Sequence, residues 1–251
     1  MFIVWGRKLV YRKVGHVADF CPICRVPRPF ELKRVGSAGH VYYISAGEGE
    51  LVGFERHCQE CKTSLRADPA DYASVSKNEA PLADLIQLTF PNLAQALKDR
   101  LALEDRVRRQ PESLSREERH ALIRNPFLLL SPKVEKRFAA THIDKEIGLS
   151  IAGAMGLLIV GPGVAHAVAP DQAELSVLLF IVLGVALVVW QIMASGGRFM
   201  RREVVPVLAA TLRPLRPTEP EINSVLSELK QLRHKMASKL KPADLLAQLQ
   251  A

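Results

Sequence analysis

The sequence is sparing with cysteine and aromatic side chains: four cysteines and two tryptophans in 251 residues, with Phe, Trp and Tyr together at 6%. So few cysteines exclude a disulfide-dense scaffold. Charge is missing in two places. No Asp, Glu, Lys or Arg occurs from Ile147 to Ala169, and none from Leu175 to Gly197. Such runs exclude ordinary solvated helices there. Catalytic signatures are missing too: there is no GxSxG, no phosphate-binding glycine loop and no HExxH. The opening MFIVWGRK has too short an apolar stretch before its first charges for a signal peptide, and no small-residue cleavage site follows. The N-terminal region is therefore expected to stay in the compartment of synthesis.

What is present is 48% hydrophobic and 24% charged residues, which excludes a disordered chain, and a net charge of +8. The basic excess is spread along the chain and is heaviest after residue 197, whereas a nucleic-acid binder would concentrate it on one motif.

All four cysteines fall in two CxxC pairs, DFCPICR at residues 19–25 and ERHCQECK at 55–62. Cys21, Cys24, Cys58 and Cys61 make a complete tetrahedral thiolate set, and in a reducing compartment paired cysteines point to metal rather than disulfides. Thirty-three residues separate Cys24 from Cys58, room for an inserted β-hairpin. We read the four as ligands of a structural zinc ion; the same cage suits iron. A thioredoxin-like redox pair needs one CxxC opening a helix, and the prolines of RVPRPF after CPIC forbid that helix. His16, His40 and His57 could each replace a cysteine, but the set is already full. Arg25 and Lys62 follow the pairs where glycine often eases a tight turn, and their charge would offset the thiolates.

The chain divides into four parts. Residues 1–72 predict a small β domain, with strands at Phe30–Val35 and Val41–Ser45 around a GSAG turn and another turn at Gly47–Glu50 before LVGFERHC. Metal would supply the stability so small a sheet lacks. Residues 73–146 predict a helical connector from Leu82, Leu85, Ile86, Leu93, Leu97 and Leu101. Pro91 divides it, Ser115 and Glu118 form a capping box, Asn125-Pro126 ends that helix, and Ser131-Pro132 opens another.

Residues 147–197 predict a hairpin of two transmembrane helices, since the apolar stretches Ile147–Ala169, 23 residues, and Leu175–Ala194, 20 residues, match the ~20 needed to cross a bilayer. Only PDQAE, Pro170–Glu174, joins them. Gly148, Ala152 and Gly156 form a small-residue stripe for close helix approach, and Gly161-Pro162-Gly163 should kink or locally unwind the first helix. His166 and Gln191 sit near helix ends. Lys133, Lys136, Arg137 and Lys145 precede the hairpin and Arg198, Arg201 and Arg202 follow it, while the loop has neither Lys nor Arg. Both termini are thus expected in the cytosol of an inner-membrane protein. Residues 198–251 predict a basic tail: an extended spacer at Arg213–Pro217, a helix over Thr218–Leu240 with Ile222, Val225, Leu226, Leu229 and Leu232 on its apolar side, and a short helix after Lys241-Pro242. That side could pack on the connector, self-associate or rest on the membrane.

The leading MFIVWG, the CPIC, an aromatic-rich strand segment and CQEC resemble the N-terminal zinc-ribbon module of small bacterial proteins, many of them membrane-anchored. The resemblance covers residues 1 to about 66 and implies a metal-bound ribbon. The usual glycines after the cysteine pairs are replaced by Arg25 and Lys62. The sequence as a whole predicts a multi-domain membrane protein, not an enzyme, acting as an interaction or scaffold module at the cytosolic face. Its partners would be the bilayer and a protein or a second copy. One alternative is a tethered nucleic-acid-binding ribbon using Arg7, Lys8, Arg12, Lys13, Arg28, Lys33 and Arg34 with Phe30, Tyr42 and Tyr43. Another is a thiol sensor that releases zinc on oxidation.

Overall fold

The computed structural model describes residues 5–41, 44–45, 47–139, 144–168 and 173–250. The expected loop Pro170–Glu174 falls largely outside them, as do Tyr42 and Tyr43. The chain forms two compact units, one of Met1–Leu129 with Ala210–Thr218, the other of Leu130–Ala209 with Glu219–Ala251.

The first unit opens with an antiparallel sheet of β1 (Trp5–Cys21), β2 (Val26–Val41), β3 (Ile44–Ser45), β4 (Glu50–Cys58) and β5 (Ser64–Ala67), in the order β1-β2-β4-β5 with β3 also on β2. Strand β2 pairs β1 on one side, Val17 opposite Phe30, and β4 on the other, Phe30 opposite Cys58. The expected GSAG turn is instead strand: β2 runs straight through it, Gly36 facing Val10 and Leu51. Glycine is there for proximity rather than for turning, because a Cβ on Gly36 would lie 2.0 Å from the carbonyl oxygen of Glu48. The turn after Gly47 does form, with Gly49 at φ 68° against Ser37. Strand β1 is hidden in the sequence because WGRKLVYRKV does not alternate in polarity, although the strand itself alternates exposed and half-buried positions from Trp5 to Val10.

Among the described residues the core of this sheet lies mainly at its cysteine-bearing end, with Val35 and Ala38 buried further along β2. Val17, Phe20, Ile23, Phe30 and Leu32 are buried, together with Leu85 of α1 (Leu82–Thr89), Leu93 of α2 (Leu93–Ala96) and Val107 of α3 (Lys98–Arg109). Thr89 ties α1 to the sheet by accepting from the Ala18 N–H at 2.9 Å while its hydroxyl donates to Leu85 O. Asp19, buried near the end of β1, accepts from Arg56 and from the Tyr72 hydroxyl at 2.8 Å, which ties β4 and the segment after β5 to β1.

Helix α4 (Arg116–Ala139) begins at the expected capping box: Glu118 N–H donates to Ser115 Oγ at 3.1 Å and Ser115 N–H to Glu118 Oε2 at 3.0 Å. It does not end at Asn125-Pro126, nor does a new helix open at Ser131-Pro132. One helix passes through both prolines, and Ser131 is buried within it. The burial of Leu122, Ile123, Phe127, Leu130 and Val134 along it outweighs the two lost backbone hydrogen bonds.

In the second unit α5 (Lys145–Val168) and α6 (Ala173–Phe199) pack antiparallel. The contact differs from the predicted one. Gly148 and Gly156 meet open space; the close approaches are Gly161 under the Phe180 ring, 2.7 Å from a would-be Cβ, and Gly184 against Ala154 at 3.3 Å. Helix α5 runs through Gly161-Pro162-Gly163 without unwinding. The outward surfaces are apolar: Leu149, Ile159, Trp190 and Met193 are all more than 60% exposed. Among the described residues one helix, Val177–Leu215, is long and apolar enough to cross a membrane, with 6% of its most apolar window buried. It continues from α6 through a wider π turn at Met200–Val204 into α7 (Val205–Leu212).

The tail helix is shorter than predicted. Helix α8 (Glu219–Gln231) buries Ile222, Val225, Leu226 and Leu229, but the backbone turns left-handed at Arg233, φ 60°, and Leu232 is exposed. Helices α9 (Lys235–Lys239) and α10 (Pro242–Gln250) follow. Glu135 of α4 accepts from the Lys235 N–H at 2.6 Å and Phe138 O from Lys235 Nζ at 3.2 Å, so the tail packs within its own chain. Where an extended spacer was expected, Arg213–Leu215 form a tight helical turn closed by Arg216 in the left-handed region.

Candidate metal centre

Two turns carry the cysteines. Cys21 ends β1 and Cys24 lies in the turn to β2; Cys58 ends β4 and Cys61 lies in the turn to β5. Because β2 is hydrogen-bonded to both β1 and β4, the two turns emerge at the same end of the sheet. The four sulfurs all lie within 4.8 Å of one another, with Cys21 Sγ to Cys61 Sγ at 3.6 Å and Cys24 Sγ to Cys58 Sγ at 3.9 Å. A tetrahedral ion with metal–sulfur bonds of about 2.3 Å requires sulfurs about 3.8 Å apart. The spacing is that of a metal cage, far beyond a disulfide's ~2.05 Å. Four close cysteines in a β-rich N-terminal region can hold a metal ion.

Both turns repeat one backbone device. Arg25 N–H donates to Cys21 O at 2.7 Å and Lys62 N–H to Cys58 O at 3.1 Å, and Cys24 N–H points at Cys21 Sγ from 3.3 Å. Arg25 and Lys62 take the left-handed conformation, φ 59° and 56°, that glycine would adopt freely. The sequence flagged these positions; the structure shows the side chains carried at a backbone cost.

For Arg25 the compensation is visible. Its Nε donates to Glu104 Oε2 at 2.6 Å in a pair where both side chains are about 5% exposed, and its Nη1 reaches Thr211 O at 3.4 Å. Its carbonyl accepts from Arg108 Nη2, and Thr211 Oγ1 donates to Ile23 O at 2.8 Å. The first cysteine turn is thus braced by α3 and by the Ala210–Thr218 segment. Nothing in the sequence linked Arg25 to Glu104, 79 residues away; Glu104 merely interrupts the apolar periodicity of α3. Since Glu104 neutralises Arg25, the expected charge offset to the thiolates is reduced.

Cys21 and Cys58 are fully buried, Cys24 and Cys61 partly exposed. As thiols the four share protons. Cys58 is pushed down to about 7, first because Cys21 donates to it, and Cys61 is pushed down for the same first reason. Cys21, the donor, is pushed up, chiefly through its bond to Cys24. Among the described residues no histidine joins the set: His16 Nδ1 bonds Gln59 and His57 Nδ1 bonds Ser64 Oγ at 3.1 Å.

No family model, curated protein or solved structure matches this chain.

Of the residues singled out for nucleic acid, several of the described ones are buried or paired. Phe30 is wholly buried, Arg7 pairs with Glu50, Lys13 and Lys33 with Glu31, and Arg34 with Glu48. By strand alternation Lys8 and Arg12 lie on the opposite face of β1 from Arg7 and Lys13.

Proposed function

We propose that this chain is a membrane-anchored zinc-ribbon protein that holds a protein partner at the cytosolic face of the inner membrane and catalyses no reaction. In this reading α5 and α6 both span the bilayer, Pro170–Glu174 is the outward loop, and both termini are cytosolic. The cations flanking the apolar runs support that orientation, and the outward apolar surfaces of both helices support burial in lipid. Zinc is the proposed ion because it accepts four thiolates in the tetrahedron that the sulfur spacings describe. Such a site is closed: all four positions are taken by protein, leaving none for substrate.

The observation that carries the interaction role is the far end of the sheet. There β1, β2 and β3 extend beyond the core and leave Trp5 81%, Val41 53% and Ile44 78% exposed around a shallow cavity of about 790 Å³. A small sheet extension that exposes an apolar tip suits a docking partner. The scatter and pairing of the ribbon's cations favour a protein over nucleic acid as that partner. A photo-crosslinking residue at Trp5 in the full chain is expected to capture one defined species, either a partner protein or a second copy. Ile44→Ser should abolish the capture without changing metal content. Undirected crosslinking, or turnover of a substrate by the full-length protein, would refute the reading.

A further inference from the structure

Where the two apolar helices reach their charged ends, the second unit holds a cavity of about 370 Å³. Its walls come from the last turns of α4, the start of α5 and the end of α6. Five cations line it (Lys133, Lys136, Arg137, Arg198, Arg202), against three acids, Asp144, Glu146 and Glu203. The acids are all engaged. Arg198 Nη2 bonds both Asp144 oxygens at 3.0 and 3.2 Å, Arg202 pairs with Glu146, and Lys133 with Glu203 at 2.9 Å. Arg137 makes no close ion pair with a carboxylate among the described residues, although its charge adds to that of Arg198 in holding Asp144 low; its guanidinium lies 5.6 Å from the centroid of the Phe199 ring. The cavity thus carries an excess of positive charge with Arg137 available to an anion.

Its position narrows the anion. Arg198 is the first residue after the uncharged run of α6, and Asp144 lies three residues before that of α5. The cavity therefore opens at the level where, on the membrane reading above, hydrocarbon gives way to headgroups. Exposed apolar side chains lead away from it along both helices, Leu149 on α5 and Ile192 and Met193 on α6. A ligand that suits both features has a phosphate at one end and long apolar chains at the other. The volume fits a headgroup and not a whole lipid.

The geometry points to a binding site for the phosphate of an anionic phospholipid, with the guanidinium of Arg137 as its main free cation. This inference rests on the membrane reading. A free phosphate ion offers the same charge but uses none of the adjoining apolar surface, and a zwitterionic lipid leaves the cavity's charge excess unmatched.

The test uses full-length protein extracted in detergent and exchanged into phosphatidylglycerol or phosphatidylcholine of the same acyl chains. Native mass spectrometry reads retained lipid, and the melting temperature is followed alongside. Phosphatidylglycerol should be retained preferentially and raise the melting temperature. Arg137→Gln should lower that retention by about fivefold, the effect of one interfacial cation, while Arg137→Lys keeps most of it. Equal retention of the two lipids, or no effect of Arg137→Gln, would overturn the site. Inorganic phosphate alone giving the full stabilisation would overturn the lipid assignment. A carbonate wash of intact membranes separates the two readings. Release of the protein without detergent overturns the membrane reading and this site with it. A protein that stays embedded yet shows no headgroup preference overturns the site alone.

Discussion

At the scale of single residues, Arg25 and Lys62 make a controlled pair. They occupy the same left-handed position after equivalent cysteine pairs, but Arg25 is buried against Glu104 whereas Lys62 makes no ion pair among the described residues. Lys62→Gly is expected to raise stability by about 0.5–1 kcal/mol, by removing the left-handed penalty. Arg25→Gly gains the same relief and loses more, about 3 kcal/mol, because Glu104 is left buried with only Arg100 at 2.9 Å. Chemical denaturation of metal-loaded protein measures both, and a stabilising Arg25→Gly would show that the buried pair contributes nothing. His16 offers a pH test. Burial, then nearby Lys13, holds its imidazole below the ordinary 6.5. The unfolded chain binds the proton more readily, so the stability from the neutral ring is complete above about pH 6.5 and is lost as pH falls below it. His16→Gln should flatten the melting temperature against pH in that window; identical slopes for both proteins would exclude the effect. The four cysteines were legible in the sequence because CxxC spacing encodes a turn as well as two ligands. Glu104 and Thr211 were not, since what gives them a role is a contact across the fold.

At the scale of elements, apolar pattern located the helices well and local punctuation misled at their ends. Pro126 and Pro132 read as boundaries because proline removes a hydrogen bond; they lie inside α4 because its buried stripe continues on either side of them. Pro132 is exposed, so Pro132→Ala should restore the bond to Leu128 and stabilise by about 1–3 kcal/mol. A destabilised variant would mean that the proline shapes a bend on which packing depends. GSAG misled in the same way, its glycines serving close approach within β2. In the helix pair, period-four spacing in Gly148, Ala152 and Gly156 pointed to the wrong face, since spacing alone does not say which stripe meets the neighbour. Gly161→Val should loosen α5 from α6, and Phe180→Ala should partly rescue it by removing the ring that Cβ would strike. Cysteine crosslinking of Ala154 to Gly184 reports the pairing; no loss in Gly161→Val would place the contact elsewhere.

At the scale of the whole molecule, the membrane reading makes a topological demand. Reporter fusions at residue 1 and residue 251 should both report the cytosol, and one placed between α5 and α6 the opposite side; a terminus on the far side would overturn it. The division into units has a consequence of its own. The first unit is not contiguous: it takes Ala210–Thr218 from beyond the apolar helices, and within it Thr211 donates to Ile23 O and accepts from Arg25 beside the first cysteine pair. On a ribosome, the N-terminal sheet must therefore wait while residues 130–209 are made, about 4–16 s at ordinary elongation rates. During that wait Arg25 and Ile23 lack the brace that Thr211 later supplies. A nascent chain stalled before residue 210 should take up metal yet remain open to proteolysis near Pro22, and one released past residue 218 should be protected. The protein would thus complete its cysteine turn only after its apolar helices have left the exit tunnel, making order of synthesis a proofreading step for the finished fold.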